Sequence, residues 1–145
     1  MAGMLADPRK TPPAKRKPDS GSLPPLVLVV EDHEDTRLML RTVLELRGCR
    51  VEEAGDGEEG VRLARERRPR LILMDATLPL LDGLAATRRI RSDSELEGVP
   101  IVFISGHGQP DFRAAAFDAG GTDFLLKPVA LDDLASIIER RLRAS

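Results

Sequence analysis

The sequence predicts a doubly wound α/β fold, a parallel five-stranded sheet with helices on both faces. Three observations carry the prediction. From Leu26 onward, apolar runs of strand length alternate with segments of helical period, the sequence form of successive βαβ units. The runs 26–30, 71–74 and 101–104 are apolar throughout rather than alternating, as strands covered on both faces must be. Finally, Glu31-Asp32, Asp75, Ser105 and Lys127 each follow or close off a separate run. In a parallel sheet those positions are the carboxyl ends of strands, where such folds gather ligands.

Taken in order, Leu26–Val30 is the first strand, followed by a helix over 35–47 with Leu38, Thr42, Leu46 and Met39, Val43 in helical register. Gly48 ends that helix by tolerating a left-handed conformation. Arg50–Ala54 is a shorter strand; Asp56-Gly57 turns into a helix over 58–67 that stops before Pro69. Residues 71–74 form the third strand, Gly83–Arg91 a helix, and 92–98 a polar loop leading to the fourth strand at 101–104. Helix 111–119, strand Asp123–Leu126 and helix 131–143 complete a (βα)5 unit. Right-handed crossovers make the doubly wound sheet its natural closure. In the flavodoxin-like strand order 2-1-3-4-5, Glu31-Asp32 and Asp75 face each other across the switch point between strands one and three.

Composition bounds the function. The 145 residues, 41% hydrophobic and 32% charged, suffice for one domain with a proper core and not for two. The net charge of −2 hides a polarity: residues 1–25 carry five bases (Arg9, Lys10, Lys15, Arg16, Lys17) against two acids (Asp7, Asp19), leaving −5 on the remainder. An acidic body argues against a nucleic-acid-binding core, which needs clustered Lys and Arg. The arm 1–25 also holds six of the eleven prolines and too little apolar area to offset ordering. It is expected to be a disordered solubilising leader, with a tether or weak basic contact as the alternative, and the domain is expected to run over 26–145. A single cysteine, Cys49, cannot form an internal disulfide and favours a reduced setting. No stretch approaches the ~20 apolar residues of a membrane helix, so the expectation is a soluble, cytoplasmic protein without membrane contact.

Each polar residue also has an ordinary structural reading. Glu31-Asp32 suits the start of a helix, Asp75 the polar end of a strand, Ser105 a helix cap, and Lys127 before Pro128 a solvated turn. The conjunction decides between the readings. Three carboxylates, a hydroxyl and an ammonium at four strand ends make a site for a divalent cation and a phosphoryl group.

The stretches LVLVVED (26–32), LILMDATLPLLDG (71–83), IVFISG (101–106) and DFLLKP (123–128) together resemble the receiver domain of bacterial two-component response regulators, from about Leu26 to Arg143. The resemblance implies that Asp75 is the phosphoacceptor, that Glu31 and Asp32 hold Mg2+ with Asp75 and the backbone carbonyl of Thr77, and that Lys127 contacts the phosphoryl group. It implies Ser105 as the switch hydroxyl, Phe124 as the aromatic whose rotamer follows activation, and a cis peptide between Lys127 and Pro128. Thr77 and His107 fall at positions that resemble tuners of dephosphorylation. His33 beside the acidic pair is expected to open the helix rather than bind magnesium, which prefers oxygen.

The leading expectation is a stand-alone receiver that takes a phosphoryl group from a histidine kinase or phosphotransfer protein and signals through its α4-β5-α5 surface to a downstream protein. It would be a signalling domain that assists its own phosphorylation, without a DNA-binding domain, since no segment follows Ser145. A non-phosphorylated pseudo-receiver or scaffold module, and a module of a longer regulator or hybrid kinase, are the alternatives. A haloacid-dehalogenase-type phosphatase would need a second Asp where Thr77 stands. The last helix carries Leu131, Leu134, Ile138 and Leu142 on one face, expected to dock on the sheet, and ends in Glu139, Arg140, Arg141 and Arg143, a solvated terminus or a contact for a partner or for a second copy in a homodimer.

Overall fold

The computed structural model describes residues 23–106 and 108–143. His107 and most of the 1–25 arm lie outside the described residues. The elements are β1 (Leu26–Val30), α1 (Glu34–Leu46), β2 (Arg50–Ala54), α2 (Gly57–Arg67), β3 (Leu71–Asp75), α3 (Gly83–Arg91), β4 (Ile101–Ser105), α4 (Pro110–Ala119), β5 (Asp123–Leu126) and α5 (Leu131–Leu142). All five strands pair in parallel in the order β2-β1-β3-β4-β5, the doubly wound order 2-1-3-4-5. Among the described residues no helix is long and apolar enough to cross a membrane.

The pleat divides the core into two layers. Val27, Val29, Leu71, Leu73, Val102 and Ile104 face α1 and α5, while Leu28, Val30, Ile72, Met74, Ile101 and Phe103 face α2, α3 and α4. Burial on both faces explains why these strands lack a period-2 pattern. Each fully buried aliphatic side chain contributes about 1.5–3 kcal/mol. The edge strand β2 differs: its Glu52 and Glu53 pair with Arg67, Arg37 and Arg41, and charge on an edge discourages pairing with another chain.

Helix starts are fixed by side chains. Asp56 Oδ1 accepts from the Glu59 N–H at 2.8 Å and Glu59 Oε1 accepts from the Gly55 N–H at 3.0 Å, a near-reciprocal cap. Asp82 Oδ1 accepts from the Ala85 N–H at 2.9 Å to open α3. Gly48, at φ +86°, closes α1.

The structure alters four details of the sequence reading. The segment 92–98 contains a 3-10 turn, Ser94–Leu96, anchored by buried Leu96. On α1 the buried positions are Leu40 and Leu44, flanked by Met39 and Val43, whereas Leu38 and Leu46 are exposed. Both stripes have helical spacing, and only the docking angle on the sheet selects between them. On α5, Leu134, Ile137 and Ile138 are buried and Leu131 is exposed. Arg140 and Arg141 are not simply solvated but pair with Asp123, Arg141 Nη2 lying 2.7 Å from its Oδ2.

Candidate functional site

The carboxyl edge of the sheet is built from the ends of β1, β3, β4 and β5. Asp75 is the last residue of β3, opposite Ile104 of β4, and is 3% exposed. Ser105 ends β4, is buried, and its carbonyl accepts from the Lys127 N–H at 2.8 Å. That bond carries the chain beyond β5 and brings Lys127 over the edge. The Lys127–Pro128 peptide is cis. Glu31 follows β1, stays in the ladder through its N–H to Ala54 O at 2.9 Å, and is 1% exposed. Asp32 is next to it and a third exposed.

A close approach fixes the far side. The Gly83 backbone, at the start of α3, lies so near β3 that an added Cβ would stand 2.3 Å from the Asp75 carbonyl oxygen. The Gly83 N–H donates to Ala76 O at 3.0 Å and the Ala76 N–H to Ile104 O at 3.0 Å. The loop after the carboxylate is thereby strapped to both neighbouring elements.

Lys127 links two of the acids. Its Nζ lies 3.2 Å from Glu31 Oε1 and 3.3 Å from Asp75 Oδ2. These are ion-pair distances, and among the described residues neither of the two buried oxygens has a hydrogen bond. Asp75 Oδ1 accepts from the Thr77 N–H at 3.1 Å, which fixes the rotation of the carboxylate. The Thr77 side chain is exposed.

The electrostatics follow from this burial. Desolvation pushes the Asp75 carboxyl up to about 6, with Glu31 adding to the rise and the Thr77 N–H and Lys127 opposing it. Burial alone would lower the Lys127 ammonium, but the negative charges of Asp75 and Glu31 beside it outweigh that and hold Lys127 above its ordinary value. Three carboxylates face one ammonium, and two buried acceptor oxygens are short of donors. Donor atoms of Glu31, Asp32, His33 and Asp75 lie within 4.8 Å of one another. An acidic oxygen-rich set of this kind fits a small hard divalent cation.

His33 opens α1, its carbonyl accepting from the Arg37 N–H at 2.9 Å. It occupies the N-cap of α1 but its side chain caps nothing. Its ring turns to the acids instead, with Nδ1 3.2 Å from Glu31 Oε2.

Phe124, on β5, is half-buried. Phe112 meets it edge-on, with ring centres 6.1 Å apart, and the Arg113 guanidinium lies over its face. Arg91 was not singled out by the sequence. It donates to Gly120 O at 2.9 and 2.8 Å and to Leu96 O at 2.9 Å, clasping the end of α4 to α3 and the 3-10 turn. Only its position after Arg88 and Arg89 is visible in sequence, and such a run reads as a solvated helix end.

The family model for the response regulator receiver domain matches residues 27–139. The transcriptional regulatory protein PrrA of Mycobacterium tuberculosis is 37% identical over 126 residues, 86% of this chain and 53% of the relative. The response regulator MprA of Mycobacterium sp. (strain KMS) is 36% identical over 121 residues, 83% of this chain and 52% of the relative. The chain thus spans about half the length of the curated relatives it matches. Among solved structures, the receiver domain of the sensor histidine kinase PA1611 from Pseudomonas aeruginosa PAO1, with a magnesium ion coordinated in its active-site cleft, superposes with a TM-score of 0.78 at 34% identity, covering 83% of this chain and 99% of that one. The Vibrio cholerae chemotaxis protein CheY4 gives 0.77 at 27% identity, covering 81% and 98%.

Proposed function

This chain belongs to the response regulator receiver domain family of two-component signalling, and from that premise we propose that it accepts a phosphoryl group on Asp75 from a histidine kinase or a phosphotransfer protein. The observation that carries the reading is the Asp75 carboxylate itself. It is buried at a strand end, fixed by the Thr77 N–H, and 3.3 Å from the Lys127 ammonium.

Phosphoryl transfer is mostly a matter of positioning and charge. An oxygen of ionised Asp75 attacks phosphorus; the phosphorus–nitrogen bond of the donor phosphohistidine breaks, and its electron pair returns to the imidazole. Thr77 N–H holds the nucleophile in one rotation, which removes an orientational cost from the attack. Lys127 Nζ pairs with Asp75 before transfer and then with a phosphoryl oxygen, a short move for a compact charge on a flexible stem. Ser105, buried at the end of β4, donates its hydroxyl to a second phosphoryl oxygen. Glu31, Asp32, Asp75 and the Thr77 carbonyl would hold Mg2+, which when bound offsets the negative charge that these acids present to an incoming phosphoryl group. Thr77 lies next to the site and tunes access of hydrolytic water. The signal leaves when Ser105 is drawn inward and Phe124 reorients, a two-state bias that changes the surface of α4, β5 and α5 offered to a downstream protein.

Intact-protein mass spectrometry after incubation with acetyl phosphate tests the proposal. One added phosphoryl group that needs both magnesium and Asp75, and is absent from Asp75→Asn, is the expected result. A folded protein that gains no adduct from acetyl phosphate or from a phosphorylated kinase would point to a non-phosphorylated pseudo-receiver.

A further inference from the structure

The imidazole of His33 is the part of this edge that phosphoryl transfer leaves unused. Its position at the start of α1 favours Ser, Thr, Asp or Asn, whose oxygens satisfy free helix N–H groups. His33 makes no such bond. Its Nδ1 lies 3.2 Å from Glu31 Oε2 and 3.4 Å from Asp32 Oδ1. The backbone N–H of His33 also donates to Glu31 Oε2 at 3.0 Å, so the ring and the carboxylate are fixed relative to each other.

Those spacings match donors on one ion. At ligand distances of about 2.0–2.2 Å, neighbouring donors of a six-coordinate ion stand about 3 Å apart and opposite donors about 4.2 Å. The Nδ1 separations fall near the first value. The whole set of Glu31, Asp32, His33 and Asp75, within 4.8 Å, exceeds the second by a few tenths of an ångström. Independently, Glu31 Oε1 and Asp75 Oδ2 are buried acceptors without a hydrogen bond among the described residues, and the one cation they share is Lys127 Nζ at 3.2 and 3.3 Å, so the acids of this edge outnumber the charge that faces them. His33 is 71% exposed, so an ion reaches Nδ1 from solvent without any rearrangement of the core.

We infer that His33 Nδ1 is a metal ligand, which makes the receiver's cation site a mixed oxygen–nitrogen site favouring borderline ions such as Co2+, Ni2+ or Zn2+ relative to Mg2+. The inference rests on the reading of this edge as the cation site of the phosphoacceptor. Hard magnesium gains little from imidazole, whereas the later divalent ions gain a strong donor. With the ring proton on Nε2, the Nδ1 lone pair stands beside two carboxylate oxygens, an arrangement that a cation between them stabilises. His33 is then a specificity-determining residue for the metal, and the identity of the ion follows from supply as well as from the acids.

The test uses the full chain and two ions. Calorimetric titration with Mg2+ and with Co2+ is compared for the parent protein, His33→Ala, and His33→Ser, which restores a helix cap without the imidazole. The expected result is a fall in Co2+ affinity of at least about tenfold in both variants, with Mg2+ affinity changed less than about twofold. In the Co2+ form, a paramagnetically shifted, exchangeable imidazole N–H resonance is expected in the parent and absent from both variants. Equal losses for the two ions, recovery of Co2+ affinity in His33→Ser, or no shifted imidazole resonance would overturn the inference while leaving a magnesium-binding receiver intact. Binding of neither ion by the parent would overturn the cation-site reading, and the inference with it.

Discussion

The guanidinium carbon of Arg113 stands 4.7 Å from the centre of the Phe124 ring, so the half-buried aromatic of β5 is held from α4. Phe112, the preceding residue, meets the same ring at 74°. Two consecutive residues of one helix thus clamp the side chain proposed to report activation. Reorientation of Phe124 has to break both contacts.

A cation–π contact at this exposure is worth about 0.5–1 kcal/mol. Arg113→Ala is therefore expected to shift the Phe124 equilibrium about two- to fivefold toward its alternative position in the unphosphorylated protein. The chain has four phenylalanines and no tyrosine or tryptophan, so 19F-labelled phenylalanine gives four resonances that single substitutions assign. An unchanged Phe124 resonance in Arg113→Ala would show that the clamp has no hold on the ring.

Asp75 makes stability depend on pH with a definite sign. Its folded-state pKa of about 6 lies above the ordinary 3.8, so between about pH 4 and 6 the folded protein binds more protons than the unfolded chain. Stability from this group is full below that window and is lost as pH rises through it. Asp75→Asn removes the charge whose burial is responsible. In metal-free buffer the variant is expected to be more stable than the parent by on the order of 1–2 kcal/mol at pH 7.5, with the advantage vanishing near pH 4. Urea melts at both pH values measure the difference; an advantage independent of pH would assign it to packing instead.

Magnesium should reverse that penalty. A ligand present at 100 times its Kd and bound only by the folded state adds about 2.7 kcal/mol, which corresponds to a rise in Tm of about 5–10 °C for a chain of this size. Thermal melts at pH 7.5 are expected to show that rise for the parent and less than half of it for Glu31→Gln and Asp75→Asn. An equal rise in all three proteins would place the cation elsewhere.

Much of this was legible in the sequence because fold and site share one cause. Strands buried on both faces must be apolar throughout, so Glu31, Asp75, Ser105 and Lys127 stand out at their ends. The spatial order of the strands brings them together. What was illegible depends on docking and rotamers. Leu38 and Leu46 are as apolar and as well spaced as Leu40 and Leu44, and only packing exposes the first pair. Arg91 reaches Gly120 O from 29 positions away, and nothing near Arg91 in the chain announces an acceptor there. The turn of the His33 ring toward Glu31, instead of into a helix cap, is a rotamer choice that the spelling of 31–35 does not contain.

Gly83 is where packing and site are most tightly joined. A Cβ there would stand 2.3 Å from the Asp75 carbonyl oxygen and 2.9 Å from Ala76 Cα. Both contacts are with backbone and have no flexible side chain to yield. Gly83→Ala must push α3 away from β3 or bend the strand end, at a cost of about 1–3 kcal/mol typical of overpacking. Helix propensity works in the opposite direction, since alanine is favoured over glycine inside a helix by roughly 1 kcal/mol, so a net loss isolates the steric effect. The strap from the Gly83 N–H to Ala76 O moves with the helix, and with it the Thr77 N–H that orients Asp75. The variant is therefore expected to melt at lower urea than the parent and to accept phosphoryl groups from acetyl phosphate more slowly even where it is fully folded. A Gly83→Ala protein with parental stability and parental phosphorylation rate would mean that the helix start adjusts freely and exerts no control over the carboxylate.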